Sequence, residues 1–199
     1  MKKEIKNICV DCDDVLVDFH TPLRVWHNVT YGTNLKHEDF TSYRFNLIWG
    51  GSGEEAIRRV NEFQNSPYAK KILPIEGAVE AIDILLQRGK RLFLTTSRPI
   101  FLRGDTEELL NKYFKDKFLE LFYSSNNYSQ AKNSGKSKGE ICKDLNALLI
   151  DDSLDYVKQC ALLGLDGILF GNYPWNQNGN LPKNVVRVKN WEEVLGQLK

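Results

Sequence analysis

Three aspartates stand close together near the start of the chain, directly after a short apolar run. Residues 7–11 read NICVD, and Asp13 and Asp14 follow Asp11 after a single cysteine. A short apolar run predicts a buried β-strand, so these carboxylates would lie at a strand end. Neighbouring carboxylates repel one another in a low dielectric, so a bound cation or a shared proton is needed to neutralise them. The alternative is an ordinary polar turn that caps a helix.

A second acidic strand end favours the cation. The apolar run ALLID ends in Asp151 and is followed by Asp152. Oxygen ligands from short carboxylates suit a hard divalent ion that keeps several waters, so the expected metal is Mg²⁺. The histidines show no spacing typical of a zinc site, and we expect them at the surface or in packing roles: His20, His27 and His37.

Two further segments could bind an anion. The run LFLTT ends in Thr95 and Thr96 and is followed by Ser97, so hydroxyls and free backbone N–H groups would form an anion cradle at a strand end, or else a helix N-cap. The stretch KNSGKSK contains Lys136 and Lys138, either of which could supply fixed positive charge for a phosphoryl group. Loops rich in lysine are usually just solvated, so this second signal depends on the others.

Short apolar runs alternate with helical patterns along most of the chain. Strands are predicted at residues 7–11, 90–96, 118–124, 147–151, 167–170 and 185–188. Helices are predicted at residues 75–88 and 153–163, and more weakly at 140–145 and 191–198. This alternation predicts an α/β fold with a doubly wound, mostly parallel sheet.

One segment lacks any convincing strand. Residues 19–69 are rich in aromatic side chains and are predicted to form a small helical cap insertion after the first strand. The core would then comprise residues 1–18 and 70–199. Because ligands in such sheets bind beyond the carboxyl ends of the strands, an insertion leaving the first strand would cover the site.

The composition is that of an ordinary globular protein and argues against several partners. Of 199 residues, 42% are hydrophobic and 27% charged, and the net charge of +1 offers no global attraction for nucleic acid or an acidic membrane. The four cysteines form no CxxC pair and are expected to be reduced core thiols. Neither a signal peptide nor an apolar run long enough for a membrane span is apparent, so we expect a cytoplasmic protein with a small-molecule partner.

Taken in order, the segments ICVDCDDVLVDF, LFLTTSRP, KSKGEICKDL and ALLIDDS resemble the four motifs of the haloacid dehalogenase (HAD) superfamily. Within it, the chain is most similar to the 5′(3′)-deoxyribonucleotidase group and its bacterial nucleotidase relatives. The DVLVDF and TSRP segments and the position of the insertion carry this resemblance. It implies a HAD-like core and a phosphatase, because dehalogenases of the superfamily lack the second aspartate of the first motif, here Asp13.

The resemblance also implies roles for the acidic residues. Asp11 would be the nucleophile and a metal ligand. Asp13 would be the general acid and base, and its backbone carbonyl would also contact the metal. Asp152 would bind the Mg²⁺ directly, with Asp151 beside it or one layer further out. Asp14 stands where many relatives have glycine.

The same resemblance assigns the substrate-binding residues. Thr96 would bind the phosphoryl oxygens, with Ser97 contributing beside it. Lys138 matches the lysine that steadies the nucleophile and the phosphate, although Lys136 is close enough to leave the register open.

The expected function is hydrolysis of a small phosphate monoester through an aspartyl-phosphate intermediate, with a nucleoside or deoxynucleoside monophosphate as the expected substrate. Aromatic residues of the cap insertion could stack on a base or simply form its core: Trp26, Phe40, Tyr43 and Trp49. A phosphatase of a sugar or hydroxy-acid phosphate is the alternative enzyme. A binding or regulatory module that keeps the fold without turnover is the alternative from another class. The oligomeric state stays open.

Overall fold

The computed structural model describes residues 5–125 and 135–199 and is built around a six-stranded sheet. The strands are β1 (Asn7–Val10), β2 (Arg91–Thr96), β3 (Leu121–Tyr123), β4 (Leu148–Asp151), β5 (Gly167–Phe170) and β6 (Val185–Val188). All neighbours pair in parallel, in the order β3-β2-β1-β4-β5-β6. The predicted fold class is thereby confirmed.

The central strand β1 shows why the sheet is buried on both faces. Ile8 of β1 pairs with Leu92 of β2 on one side and with Leu148 of β4 on the other. Because successive side chains of a strand face opposite sides, Ile8 and Val10 enter one hydrophobic cluster and Cys9 enters the other. Apolar side chains on both faces require helices on both faces, as the alternating sequence pattern predicted.

Eight α-helices accompany the sheet in the described residues: α1 (His20–Tyr31), α2 (Asn46–Trp49), α3 (Gly53–Gln64), α4 (Ala78–Gln87), α5 (Arg103–Phe114), α6 (Lys138–Leu145), α7 (Leu154–Leu162) and α8 (Trp191–Gln197). The four helices predicted in the core correspond to α4, α6, α7 and α8. Within this part of the chain, no helix combines the length and apolar character that crossing a membrane requires.

The sequence pattern did not predict α5. This helix carries many charges, and its buried side chains are limited to Thr106, Leu110 and Phe114, one from each turn. Spacing of four residues produces only a narrow apolar stripe, and one of its three members is a threonine. The helix therefore depends on packing against the core more than on local sequence preference.

The cap insertion, residues 19–69, contains α1, α2 and α3 and no strand. Its two ends lie side by side, because the Asp18 amide donates to the Leu73 carbonyl and the Ile75 amide donates to the Leu16 carbonyl, both at 2.9 Å. The chain thus leaves and rejoins the core next to the loop that follows β1. The division into a core and a cap insertion at these boundaries stays a prediction.

Candidate active site

The carboxyl ends of three neighbouring strands bring the predicted site residues to one edge of the sheet. Asp11 follows β1, Thr96 ends β2 and Asp151 ends β4. Strand β1 lies between the other two and runs parallel to both, so their carboxyl ends meet at the same edge. A cavity of about 790 Å³ opens there, lined by residues of the core together with residues of α3 in the cap insertion.

A buried lysine connects two of the aspartates. Lys138 is 1% exposed, and its Nζ donates to Asp11 Oδ1 at 2.6 Å and to Asp151 Oδ2 at 2.7 Å. It is the first residue of α6, whose start is fixed by a capping box in which the Ser137 hydroxyl accepts from the Glu140 amide. Burial alone would lower the pKa of Lys138, but Asp11 and Asp151 raise it well above its ordinary value, so the ammonium stays charged.

The alternative lysine lies elsewhere. The Lys136 side chain is 63% exposed and pairs with Asp144 at the surface. The structure therefore brings Lys138, and not Lys136, to the aspartates. The first three residues of the KNSGKSK stretch, 132–134, lie outside the described residues.

Three buried carboxylates form a group able to hold a metal ion. Oxygen atoms of Asp11, Asp151 and Asp152 all lie within 4.8 Å of one another. Burial, together with the nearby charges of Asp151 and Asp13 and against the lowering effect of Lys138, raises the pKa of Asp11 to about 8. Burial, Asp14 and Asp11 likewise raise the pKa of Asp152. One lysine cannot neutralise three carboxylates, so the donor set fits a hard divalent cation such as Mg²⁺.

The Asp13 carboxylate is held by a different cation. Arg98 donates two hydrogen bonds to it, from Nε to Oδ2 at 2.9 Å and from Nη2 to Oδ1 at 2.7 Å. Burial would lower the pKa of Arg98, but Asp13 raises it, so the guanidinium remains charged. The sequence does not reveal this pair, because Arg98 and Asp13 are 85 residues apart and no local pattern connects them.

The hydroxyl groups at the end of β2 behave differently from one another. Ser97 lines the cavity, and its hydroxyl donates to the Tyr156 hydroxyl at 3.0 Å. Thr96 is fully buried, and its Oγ1 accepts from the Arg98 amide at 3.1 Å. Thr96 thus shapes the turn that carries Ser97 and Arg98 into the site, and its predicted contact with the phosphoryl oxygens stays a prediction.

Asp14 joins the loop after β1 to the cap insertion. Its backbone has a φ of 58°, a left-handed conformation that glycine adopts most easily and that aspartate tolerates. The carboxylate accepts from the amides of Phe19 and His20, each at 3.1 Å, and also pairs with His20 Nδ1. These hydrogen bonds offset the cost of the left-handed conformation at an aspartate.

The loop after β5 also enters the site. The Trp175 indole donates from Nε1 to Asp152 Oδ2 at 2.8 Å, and the Asn176 amide donates from Nδ2 to the Asp152 carbonyl at 3.1 Å. The Tyr173 hydroxyl donates to the Asp14 carbonyl at 2.9 Å. No pattern in the sequence predicts these contacts, because they join side chains of this loop to residues of the loops that follow β1 and β4.

Several aromatic residues of the cap insertion pack in its interior. Trp26 and Phe40 are buried, and Trp49 stacks on His27 and Phe45. Tyr43 lines the cavity, as does Phe45. Tyr43 is therefore the member of the predicted aromatic set with direct access to a bound ligand.

His27 and His37 have the expected packing and surface positions, whereas His20 lines the cavity and pairs with Asp14. His20 and His27 are buried, whereas His37 is exposed.

Solved structures share the fold over nearly the whole chain. A Lactobacillus delbrueckii protein assigned as a phosphoglycolate phosphatase is 18% identical, with a TM-score of 0.66 over 98% of this chain and 99% of its own. A HAD-like family hydrolase from Streptococcus pneumoniae gives 13% identity and a TM-score of 0.72 over 98% and 99%. A HAD hydrolase from Bacillus subtilis, in a structure bound to magnesium, gives 16% and 0.67 over 99% and 100%.

The sequence itself matches a family model. No curated protein sequence matches the chain. The model described as 5′ nucleotidase, deoxy (pyrimidine), cytosolic type C protein matches residues 3–198. The solved structures show that the fold is that of HAD hydrolases, and the family match confirms the predicted resemblance: the chain belongs to this nucleotidase family and is a hydrolase of phosphate monoesters.

Proposed function

We propose that the protein is a Mg²⁺-dependent phosphatase that hydrolyses a nucleoside or deoxynucleoside monophosphate through an aspartyl phosphate on Asp11. The observation that carries the proposal is the arrangement around the Asp11 carboxylate. Asp11 lines the cavity, and its carboxylate accepts a hydrogen bond from Lys138 at 2.6 Å. Together with Asp151 and Asp152, it forms a group of carboxylates close enough to hold one metal ion. A nucleophile needs this combination of access, orientation and nearby positive charge.

In the proposed reaction, the Asp11 carboxylate attacks the phosphorus while the ester oxygen leaves, and water then hydrolyses the aspartyl phosphate. Asp13 gives a proton to the leaving oxygen and later takes one from the water. Both oxygens of the Asp13 carboxylate accept from Arg98 in the structure, so one of these hydrogen bonds must be released when Asp13 carries the proton, and Arg98 orients Asp13 when it is ionised. Lys138 orients Asp11 and places positive charge beside the phosphoryl group. Bound Mg²⁺, held by Asp11 and Asp152 with Asp151 nearby, would neutralise charge on the phosphoryl oxygens.

The preference for nucleotides rests on the family and on the cavity. The description of the matching family names a deoxy (pyrimidine) 5′ nucleotidase. The cavity of about 790 Å³ is far larger than a phosphate group requires. Its lining includes Tyr43, Asn61 and Gln64. An aromatic ring can stack on a base for about 1–3 kcal/mol, and amides can hydrogen-bond to its edge.

A smaller phosphate monoester is the second candidate. The structurally similar Lactobacillus protein is assigned as a phosphoglycolate phosphatase, and this assignment motivates testing hydroxy-acid and sugar phosphates. The chemistry at Asp11 would be the same for both substrate classes, so only a substrate panel separates them.

The test is phosphate release by wild type and by Asp11→Asn, with Mg²⁺ or with a chelator. The panel comprises nucleoside and deoxynucleoside monophosphates, sugar phosphates and phosphoglycolate. We expect metal-dependent turnover by wild type alone, with the highest kcat/KM for a nucleotide. A preference for the smaller esters would retain the mechanism and overturn the substrate assignment.

Turnover by Asp11→Asn at the wild-type rate would overturn the mechanism. A folded wild type that releases no phosphate from any ester would favour the non-catalytic binding module. A cytoplasmic location is also part of the proposal, and cell fractionation tests it.

A further inference from the structure

Trp175 contacts a proposed metal ligand and the cap insertion at the same time. It lies in the loop after β5, and its indole N–H donates to Asp152 Oδ2 at 2.8 Å. The ring stacks on His20 of the cap insertion with a centroid distance of 4.1 Å. Tyr43 and His37, which also belong to the cap insertion, approach the same ring edge-on at 5.7 Å and 5.8 Å. The indole therefore has a defined orientation with its N–H directed at Asp152.

A closed set of contacts fixes this orientation. Tyr173 stacks on Trp175 with a centroid distance of 4.4 Å and an interplanar angle of 7°. Both stacking partners are tied to Asp14, His20 through its Nδ1 and Tyr173 through its hydroxyl. The circuit Asp14–His20–Trp175–Tyr173 thus returns to the loop that carries the nucleophile.

The backbone of the loop is adapted to this circuit. Gly171 has a φ of 80°, and a Cβ at this position would clash with the Tyr173 ring. Any larger residue would displace the Tyr173 ring from its place against Trp175. The aromatic stack is therefore built into the course of the chain.

We propose that Trp175 is a positioning residue that holds the Asp152 carboxylate in the orientation needed to bind Mg²⁺, and so sets the affinity of the site for the metal. The inference rests on the metal site of the proposed function. The indole N–H donates to Oδ2 and leaves other carboxylate lone pairs for a cation, while the Asn176 side chain donates to the Asp152 carbonyl. Without the N–H, the carboxylate rotates over a wider range and must lose that added freedom when it binds the ion.

Trp175→Phe tests the inference because phenylalanine retains an aromatic ring and loses the N–H. Trp191→Phe is the matched control. Its indole is buried and donates to the Val15 carbonyl at 2.9 Å, so the variant loses an equivalent hydrogen bond that involves no carboxylate. Urea unfolding of both variants verifies that each is folded before metal is added.

Mg²⁺ affinity is measured by isothermal titration calorimetry on the full chain without substrate. Removing a hydrogen-bond partner of a metal ligand commonly weakens binding by about 10- to 100-fold, and we expect this loss in Trp175→Phe and wild-type affinity in Trp191→Phe. In kinetic assays, the Mg²⁺ concentration for half-maximal phosphate release should rise by the same factor. At saturating Mg²⁺, kcat and KM for the ester should return close to wild type.

Wild-type Mg²⁺ affinity in Trp175→Phe would overturn the inference while leaving the proposed function intact. Equal losses of affinity in Trp175→Phe and Trp191→Phe would also overturn it, because the effect would then be general loosening. If the wild type itself bound no Mg²⁺, the proposed function and the inference would fall together.

Discussion

Replacing Lys138 by methionine should strongly destabilise the metal-free protein. Methionine keeps most of the apolar stem but removes the ammonium that bonds Asp11 and Asp151 at 2.6 Å and 2.7 Å. A hydrogen bond to a charged group contributes about 1.5–3 kcal/mol, so two such bonds together amount to roughly 3–6 kcal/mol. Removing one partner from a buried ion pair commonly costs about 3–5 kcal/mol, which agrees.

The loss of stability in Lys138→Met should depend on bound metal and on pH. In a chain of this size, a loss of about 3–5 kcal/mol corresponds to a fall in Tm of roughly 6–20 °C. Mg²⁺ should restore part of the stability, because a divalent cation neutralises the same carboxylates. Lowering the pH from 8 towards 5 should also restore part of it, because burial has already raised the pKa of Asp11 and Asp152 and both then take up protons.

Urea unfolding followed by circular dichroism, in chelator and in Mg²⁺, measures these effects. Lys136→Met is the control, since its side chain is exposed and pairs only at the surface with Asp144 among the described residues, and its free energy of unfolding should stay close to wild type. If Lys138→Met were as stable as Lys136→Met in chelator at pH 8, Lys138 would not be neutralising the buried carboxylates.

Three further perturbations test other parts of the site and of the cap insertion. Arg98→Lys should lower kcat by about 10-fold or more with little change in KM. Lysine cannot hold Asp13 by two hydrogen bonds, and general acid–base catalysis contributes roughly 10²–10⁴-fold to the rate. Steady-state kinetics measure this effect, and an unchanged kcat would contradict it. Asp14→Gly should lower the free energy of unfolding by about 1–3 kcal/mol, measured by urea unfolding, because the lost hydrogen bonds outweigh the relief of a positive φ. A more stable variant would show that the backbone strain at Asp14 outweighs its hydrogen bonds. Burial, with Arg59, lowers the pKa of His27 from 6.5 to about 4, so the unfolded chain binds the proton more readily and stability should fall as the pH falls through this interval. His27→Gln should flatten that part of the pH–stability curve, and an unchanged slope would show that other groups cause it.

The predictable parts of the structure were those encoded in short continuous segments. The runs NICVD and ALLID predicted β1 and β4, and their acidic ends predicted where Asp11 and Asp151 would meet. Because parallel strands share an edge for their carboxyl ends, the sequence order of the motifs was enough to expect one site. The sequence did not decide between Lys136 and Lys138, because a shift of one or two residues in the start of α6 changes which lysine faces the aspartates.

The parts of the site that the sequence did not predict depend on contacts between residues far apart in the chain. Arg98 hydrogen-bonds to Asp13 across 85 residues, and Trp175 hydrogen-bonds to Asp152 across 23. Neither pair has a periodicity or a spacing that local propensity could reveal. Helix α5 was missed for a related reason, since its narrow buried stripe is defined by the core against which it packs.

A crystal structure of the protein with Mg²⁺ and beryllium fluoride would test the central claim most directly. Beryllium fluoride bonds to a carboxylate oxygen and imitates the phosphoryl group of an aspartyl phosphate. We predict that it will be attached to Asp11, within reach of Lys138, with Mg²⁺ held by Asp11 and Asp152. Attachment to Asp13 or to another carboxylate, or Mg²⁺ bound away from Asp11 and Asp152, would contradict the assignment of Asp11 as the nucleophile of a metal-dependent phosphatase.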